Sequence, residues 1–217
     1  MSNTRKILVF VPILVISCGY VYIDRFHQFR HGGSGRLMAL LLSMLLFYVW
    51  AALGIRKRRQ DSFSDMLVQS SYYVYVFGVL TLTGYFILFN QVAARDWWHR
   101  LLHRVEMKDG VNMVPLLFMR SRHLLKYETV GNFFMLMPLG IYLPLLYRYL
   151  KNFFVVTLVA MLVSVSIELM QLATNSRIAD IDDVILNTAG AAAGFIVYWL
   201  LFALVRKPSQ QQYRMSS

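Results

Sequence analysis

The chain has 217 residues, of which 58% are hydrophobic and only 15% are charged, and its formal net charge is +11. Soluble domains carry about 25% charged residues, so this composition excludes an ordinary soluble protein. The basic residues lie between long apolar blocks, where they anchor a chain to lipid headgroups, and they form no nucleic-acid motif. We therefore predict a membrane-lipid partner and no nucleic-acid partner.

The first two apolar blocks, Ile7 to Ile23 and Leu37 to Ile55, approach the length of about 20 residues that a membrane-crossing helix needs. The segment 15–19 resembles a bacterial lipoprotein cleavage site at Cys18, but we favour an uncleaved first helix because the block is long enough to span. The basic run 56–59 ends the second block. Residues 1–71 are therefore predicted to form a two-span hairpin with a cytoplasmic basic loop.

The third predicted span, Tyr72 to Val92, is followed by the longest polar connection of the chain. This connection contains an apolar stripe at helical spacing, made of Trp97, Trp98, Leu101, Leu102 and Val105. Such a stripe, flanked by basic residues, predicts an amphipathic helix in the membrane interface. His99 and His103 are spaced by four and could bind a metal, but interfacial snorkelling is the favoured interpretation.

The last three spans are predicted from Val130 to Tyr147, from Phe153 to Leu172 and from Val184 to Val205, and the polar tail 206–217 is predicted to be disordered. The fold class is thus all-α: a polytopic transmembrane helical bundle of about six spans plus an interfacial amphipathic helix. Pro138 and Gly140 predict a break in the fourth span, which would expose backbone carbonyls to protein or water.

The orientation does not follow from the number of basic residues, because Lys and Arg divide equally between the two sides of a six-span arrangement. The run 56–59 directly abuts a helix end, whereas much of the long third connection can lie flat on the membrane. We therefore expect both termini in the cytoplasm.

Several polar residues lie inside or beside the last spans. Glu168 falls within the fifth block, although a charge at the bilayer centre costs about 2.5–3.5 kcal/mol on insertion scales. Gln171 shares a helix face with Glu168, and the sixth span begins with a second polar face of Asp180, Asp183 and Asn187. The GxxxG pattern at 190–194 is interpreted as helix packing.

The starts of spans four and six and the end of span five must lie on one membrane face. The predicted polar site at that face consists of Asn112, Asn132, Glu168, Gln171, Arg177, Asp180, Asp183 and Asn187. Arg177 is the expected counter-ion for the carboxylates. A functional site is favoured over the alternative, a polar network that only locks helices together, because ionisable residues inside membranes usually serve function.

Three segments and a shorter element resemble the VanZ-like family. The segments are Asn132-Phe-Phe-Met-Leu-Met-Pro138-Leu-Gly140, Glu168-Leu-Met-Gln171 and Arg177-Ile-Ala-Asp180-Ile-Asp-Asp183-Val-Ile-Leu-Asn187-Thr-Ala-Gly190, and the element is Asn112-Met-Val-Pro115. Leu136 stands where this family usually has Phe. The resemblance covers about residues 72–205, a VanZ-like membrane domain, and implies a multi-pass protein of the bacterial cytoplasmic membrane.

The VanZ-like family is named for a protein linked to teicoplanin resistance, so the resemblance implies an effect on susceptibility to lipoglycopeptides. The first functional hypothesis is a non-enzymatic protein whose polar pocket binds a lipid-linked envelope component or a lipoglycopeptide, with no cofactor. The alternative is an intramembrane enzyme for lipid-linked substrates that holds a divalent metal through Glu168, Asp180 and Asp183. A transporter ranks last, because the sequence contains no inverted repeat.

Overall fold

The computed structural model describes residues 3–29, 35–57, 62–92, 96–106, 110–116, 127–174 and 178–205. Over this part of the chain it has eight helices and two two-residue strands. In chain order they are α1 Asn3–Phe29, α2 Gly35–Lys57, α3 Phe63–Leu82, α4 Tyr85–Val92, α5 Trp97–Glu106, β1 Val111–Asn112, α6 Tyr127–Leu146, α7 Phe153–Ala173, β2 Ala179–Asp180 and α8 Ile181–Val205. The all-α prediction is therefore confirmed.

Five of the described helices are long and apolar enough to cross a membrane. The spanning segments are Lys6–Ile23, Leu40–Lys57, Tyr127–Leu146, Phe153–Ala173 and Ile181–Phe202. They correspond to the predicted spans one, two, four, five and six, with ends shifted by a few residues. The tail 206–217 and Arg177 lie outside the described residues.

The third predicted span is not one straight helix, because the chain bends at Thr83 and Gly84 between α3 and α4. Gly84 has a φ of +84°, a left-handed conformation that favours glycine, and the Thr83 hydroxyl donates a hydrogen bond to the Val79 carbonyl at 2.8 Å. Phe77 and Phe86 would be separated by about 13.5 Å along a straight helix. Their ring centroids are 5.1 Å apart, so the bend brings the two rings together.

The fourth predicted span does not break. Helix α6 runs from Tyr127 to Leu146 and contains both Pro138 and Pro144. Each proline removes one backbone N–H, but helical geometry continues on both sides. The expected half-helix with free carbonyls is therefore wrong, and the weak argument that it offered for a transporter is lost.

The chain divides into two compact units, and the first comprises Met1–Pro115 and Val165–Ile181. Within it α1 packs against α3, and α2 packs against α4. The Ser70 hydroxyl donates to the Val9 carbonyl at 3.2 Å, and the hydroxyls of Ser17 and Tyr48 are hydrogen-bonded. Polar side chains thus fasten α1 to its neighbours along with the buried aromatic rings.

The second unit comprises Leu116–Ser164 and Asp182–Ser217. Its α6 and α8 approach so closely that a side chain at Gly190 would collide with the Phe133 carbonyl, and one at Gly194 with the Met137 carbonyl. The two contacts advance together along both helices, so α6 and α8 run in the same direction. This confirms close packing as the role of the GxxxG pattern and explains Gly140, where a side chain would collide with the Ala191 carbonyl.

Candidate functional site

Three predicted site residues come together in the first unit: Asn112, Glu168 and Asp180, which we call the acid–amide cluster. Residues 111–112 and 179–180 pair as parallel strands, with Asn112 opposite Asp180. The Asn112 Nδ2 donates to the Asp180 carboxylate at 3.0 Å. The backbone N–H of Asp180 in turn donates to the Glu168 carboxylate at 2.9 Å. The strand pair therefore carries two of these residues to the third, which lies on α7.

Glu168 is the most deeply buried member of the acid–amide cluster, with 6% of its surface exposed. It lies about one and a half turns before the end of α7, a helix apolar enough to span a membrane. A buried carboxylate loses its hydration, and hydrogen bonds to the charged form offset part of that cost. The N–H of Asp180 supplies one such bond, which gives a physical reason for the tight connection between β2 and α7.

Asn112 uses both ends of its amide. Its Nδ2 bonds Asp180, and its Oδ1 accepts the backbone N–H of Val114 at 3.2 Å. An Asn side chain that bonds the backbone two residues later forms an Asx-turn, which bends the chain locally. The Asn-x-x-Pro element is thus a turn whose first residue also holds the carboxylate of Asp180.

Helix α5 is fastened to the end of α7 by two side chains. The Trp97 Nε1 donates to the Ala173 carbonyl at 2.9 Å, and the Arg104 Nη1 donates to the carbonyls of Leu172 and Thr174 at 3.1 and 3.4 Å. The last carbonyls of a helix lack partners within it and carry a partial negative charge. Trp97 and Arg104 satisfy these groups, and the guanidinium also complements their charge.

Gly110 connects α5 to the strand pair that carries Asn112 and Asp180. Its N–H donates to the Arg104 carbonyl at 3.2 Å, and its carbonyl accepts the N–H of Ala179 at 2.9 Å. A side chain at Gly110 would meet Arg104 and Leu172 at 3.1 Å. The position therefore leaves little room for anything larger than glycine.

Two polar contacts of the second unit involve the first two turns of α8. The Asn187 Nδ2 donates to the Ser164 hydroxyl at 2.9 Å, and both side chains are fully buried. Among the described residues, the Asn187 Oδ1 has no hydrogen-bond donor. The Asp182 carboxylate, also buried, accepts the backbone N–H of Leu116 at 2.5 Å.

The remaining predicted site residues are described by the helix in which they lie and by their burial. Gln171 is buried in α7, whereas Asn132 and Asp183 are half-buried in α6 and α8. Arg177, the expected counter-ion, lies outside the described residues. Within the described ranges no group of three or more His, Cys, Asp and Glu side chains could hold a metal ion. The carboxylate-bound metal of the enzyme hypothesis therefore gains no support there.

Sequence reasoning did not include Trp97, Arg104 or Asp182 in the site. Trp97 and Arg104 are seven residues apart, so they share one face of α5, and this spacing was the available signal. Their partners are backbone carbonyls more than 65 residues away in the chain, and no side-chain pattern encodes such partners. Asp180 lies in strand β2, and Asp182 differs from Asp183 in the face of α8 that it occupies.

Comparison with known proteins identifies the family. The family model described as VanZ/LLP1 matches residues 72–202, more than half of the chain. The chain belongs to the VanZ-like family. The VanZ-like range begins in α3 and ends in α8, so it includes the acid–amide cluster and α5, while α1 and α2 precede it. Neither a curated protein nor a solved structure matches the chain.

Proposed function

We propose that this VanZ-like protein binds an amphiphilic envelope component at the acid–amide cluster and thereby lowers susceptibility to teicoplanin-type lipoglycopeptides. The observation that carries the proposal is the buried carboxylate of Glu168, which accepts the N–H of Asp180 at 2.9 Å near the end of an apolar spanning helix. Ionisable groups in such positions are costly, and they usually serve binding or transport. The Asn112 amide and the two carboxylates are groups of the kind that bind a polar headgroup.

An amphiphile also needs an apolar surface beside the polar one, and the first unit supplies it on α5. Trp98, Leu102 and Val105 are all exposed and lie on one face of that helix. Trp97 and Arg104, on another face, join α5 to the end of α7 that carries Glu168. A ligand with a polar head and a lipid tail therefore fits this unit better than a fully polar one. Teicoplanin carries such a tail, so the family's link to teicoplanin agrees with a ligand of this kind.

The proposed function also requires that the protein lies in the cytoplasmic membrane with a particular orientation. With both termini in the cytoplasm of a bacterium, α7 ends at the outer face of the cytoplasmic membrane, where envelope precursors and lipoglycopeptides are found. To test this, His103→Cys and Arg148→Cys are made separately in a Cys18→Ser chain. A membrane-impermeant maleimide is expected to label the first in intact cells and the second only after permeabilisation. The reverse pattern would contradict the proposed outer location.

Glu168→Gln and Asp180→Asn test the function itself. Both keep side-chain size and remove the negative charge, and Glu128→Gln, an exposed glutamate on α6, is the matched control. Each form is expressed in a susceptible bacterium, and the inhibitory concentration of teicoplanin is compared with that of a glycopeptide lacking a lipid tail. We expect the unaltered protein and Glu128→Gln to raise the teicoplanin value selectively, and the two cluster variants to lose the effect at equal protein levels.

Two results would overturn the proposed function. One is an unaltered protein, present in the membrane, that leaves teicoplanin susceptibility unchanged. The other is full protection by both cluster variants, because a binding site that depends on these carboxylates would then not exist.

A further inference from the structure

Helix α5 lies at the level where a spanning helix ends. The bonds from Trp97 and Arg104 reach the carbonyls of residues 172–174, and the spanning segment of α7 ends at Ala173. The end of a spanning helix marks the boundary between the hydrocarbon core and the headgroup layer. Because these bonds are direct, α5 must lie at that boundary.

The exposed surface of α5 has the character of that boundary. Trp98, Leu102 and Val105 expose 57%, 39% and 47% of their surfaces along one face. His99 and His103 are exposed on another face, next to Arg100 in sequence and in helical position. An apolar face beside a basic one is the arrangement of helices that lie among lipid headgroups, with the basic groups near the phosphates.

The Arg100 guanidinium has two nitrogen donors without a hydrogen bond to any described residue, one of which makes an ion pair. Its Nε and Nη2 atoms are shielded and make no hydrogen bond within the described part of the chain. Its ion pair joins Nη2 to the Asp96 carboxylate at 3.3 Å, and the Asp96 side chain is 66% exposed. Nε and Nη2 form one flat edge of the guanidinium, which matches two oxygens of a phosphate or carboxylate. The Asp96 carboxylate contacts one nitrogen of this edge, and because it is mostly exposed it can turn toward water when a phosphate takes its place.

We propose that Arg100 binds the phosphate of an anionic phospholipid headgroup, with Trp98, Leu102 and Val105 against the acyl chains of the same layer. Asp96 competes for the guanidinium when no lipid is bound. The position of α5 at the end of a spanning helix favours a membrane lipid over a soluble phosphate, since lipid phosphates are concentrated at that level. The phosphate site uses none of the acid–amide cluster residues, although it shares the apolar face of α5 with the proposed function. Its test measures lipid retention and not teicoplanin susceptibility, so the two proposals can fail separately.

The test is lipid binding by the full-length protein purified in a nonionic detergent. Native mass spectrometry measures the retention of phosphatidylglycerol, phosphatidylcholine and diacylglycerol, which respectively carry an anionic headgroup, a phosphate neutralised by choline and no phosphate. We expect phosphatidylglycerol to bind best and Arg100→Gln to weaken it about tenfold, as the loss of one bidentate charge-assisted contact predicts. Asp96→Asn should strengthen binding, because it removes the competing carboxylate.

Two variants keep the result interpretable. Arg148→Gln removes an exposed arginine outside α5 and should bind phosphatidylglycerol like the unaltered protein. Arg100→Lys keeps the charge without the flat two-donor edge and should bind phosphatidylglycerol at an intermediate level. If Arg100→Gln does not fold, Arg100→Lys and Asp96→Asn test the proposed site in its place. Equal binding of phosphatidylglycerol and diacylglycerol would overturn the proposal, as would unchanged binding by Arg100→Gln and Arg100→Lys. Displacement of the lipid by millimolar inorganic phosphate would overturn the assignment to a headgroup.

Discussion

Each of the two units has its own kind of internal contact between helices. In the second unit, α6 and α8 bring their backbones into contact through Gly140, Gly190 and Gly194. In the first unit, α5 and the end of α7 are joined by the Trp97 and Arg104 side chains, which reach backbone carbonyls. Close backbone packing thus joins two helices of the second unit, whereas side-chain hydrogen bonds to backbone carbonyls join α5 to α7 in the first.

The largest effect is expected from a side chain in the glycine interface. Gly190→Leu would drive Cβ into the Phe133 carbonyl, and two backbones cannot relax as a flexible side chain can. We expect a loss of more than about 3 kcal/mol, the upper end of the cost of overpacking, and little folded protein in detergent. Size-exclusion chromatography and thermal melting measure this outcome.

Gly131→Ala is the matched control for this change. Gly131 lies in α6, and a Cβ there meets nothing within 4 Å. Replacement of a helical glycine by alanine should raise stability by about 0.5–1 kcal/mol. If Gly190→Leu melted like Gly131→Ala, the second unit would not depend on close backbone contact, and the comparison of the two units would fail.

Hydropathy and spacing were sufficient to predict most of the fold, because a spanning helix needs a long apolar block and little else. They failed where a single residue acts through its backbone. The left-handed Gly84 bends the third predicted span, and Gly140 serves close packing rather than the predicted break at Pro138. Neither role can be separated from the alternatives without knowing which helix lies opposite.

The candidate site was predictable to the extent that the ends of the spans determine it. The common membrane side led to Asn112, Glu168 and Asp180, which the structure brings together. Same-face spacing grouped Asp180 with Asp183 and Asn187 instead, but Asp180 lies in strand β2 and not in α8. The pairing of Asn187 with Ser164 shows that a residue with the right spacing can instead be used in a contact of the second unit. Arg104 was missed because it binds backbone carbonyls 68 and 70 residues away.

An intermediate effect is expected from the tie between α5 and α7. Arg104→Gln removes charge-assisted hydrogen bonds to the carbonyls of Leu172 and Thr174, and should lower the free energy of unfolding by about 2 kcal/mol. Trp97→Phe loses one neutral hydrogen bond to Ala173 and should cost about 1 kcal/mol. Denaturant titration in detergent, followed by circular dichroism, measures both.

Arg148→Gln provides the comparison for the tie, since Arg148 is exposed and its removal should change the free energy of unfolding by less than about 0.5 kcal/mol. An Arg104→Gln variant as stable as Arg148→Gln would show that the polar contacts of the first unit are incidental. The difference drawn between the two units would then reduce to the glycine interface alone.

The smallest effect is expected from Asn187→Leu at the Ser164–Asn187 contact, where the direction of its difference from Ser164→Ala is informative. Asn187→Leu removes a buried amide whose oxygen has no donor in the described structure, so its stability should stay within about 1 kcal/mol of the unaltered protein. Ser164→Ala instead leaves the Asn187 amide nitrogen shielded and unpaired, which should cost about 1–2 kcal/mol. Adding Asn187→Leu to Ser164→Ala should then restore stability, because the two side chains interact directly. Should Asn187→Leu prove the more costly single change, the Asn187 oxygen must bind a donor essential to the second unit, and polar contacts would govern both units.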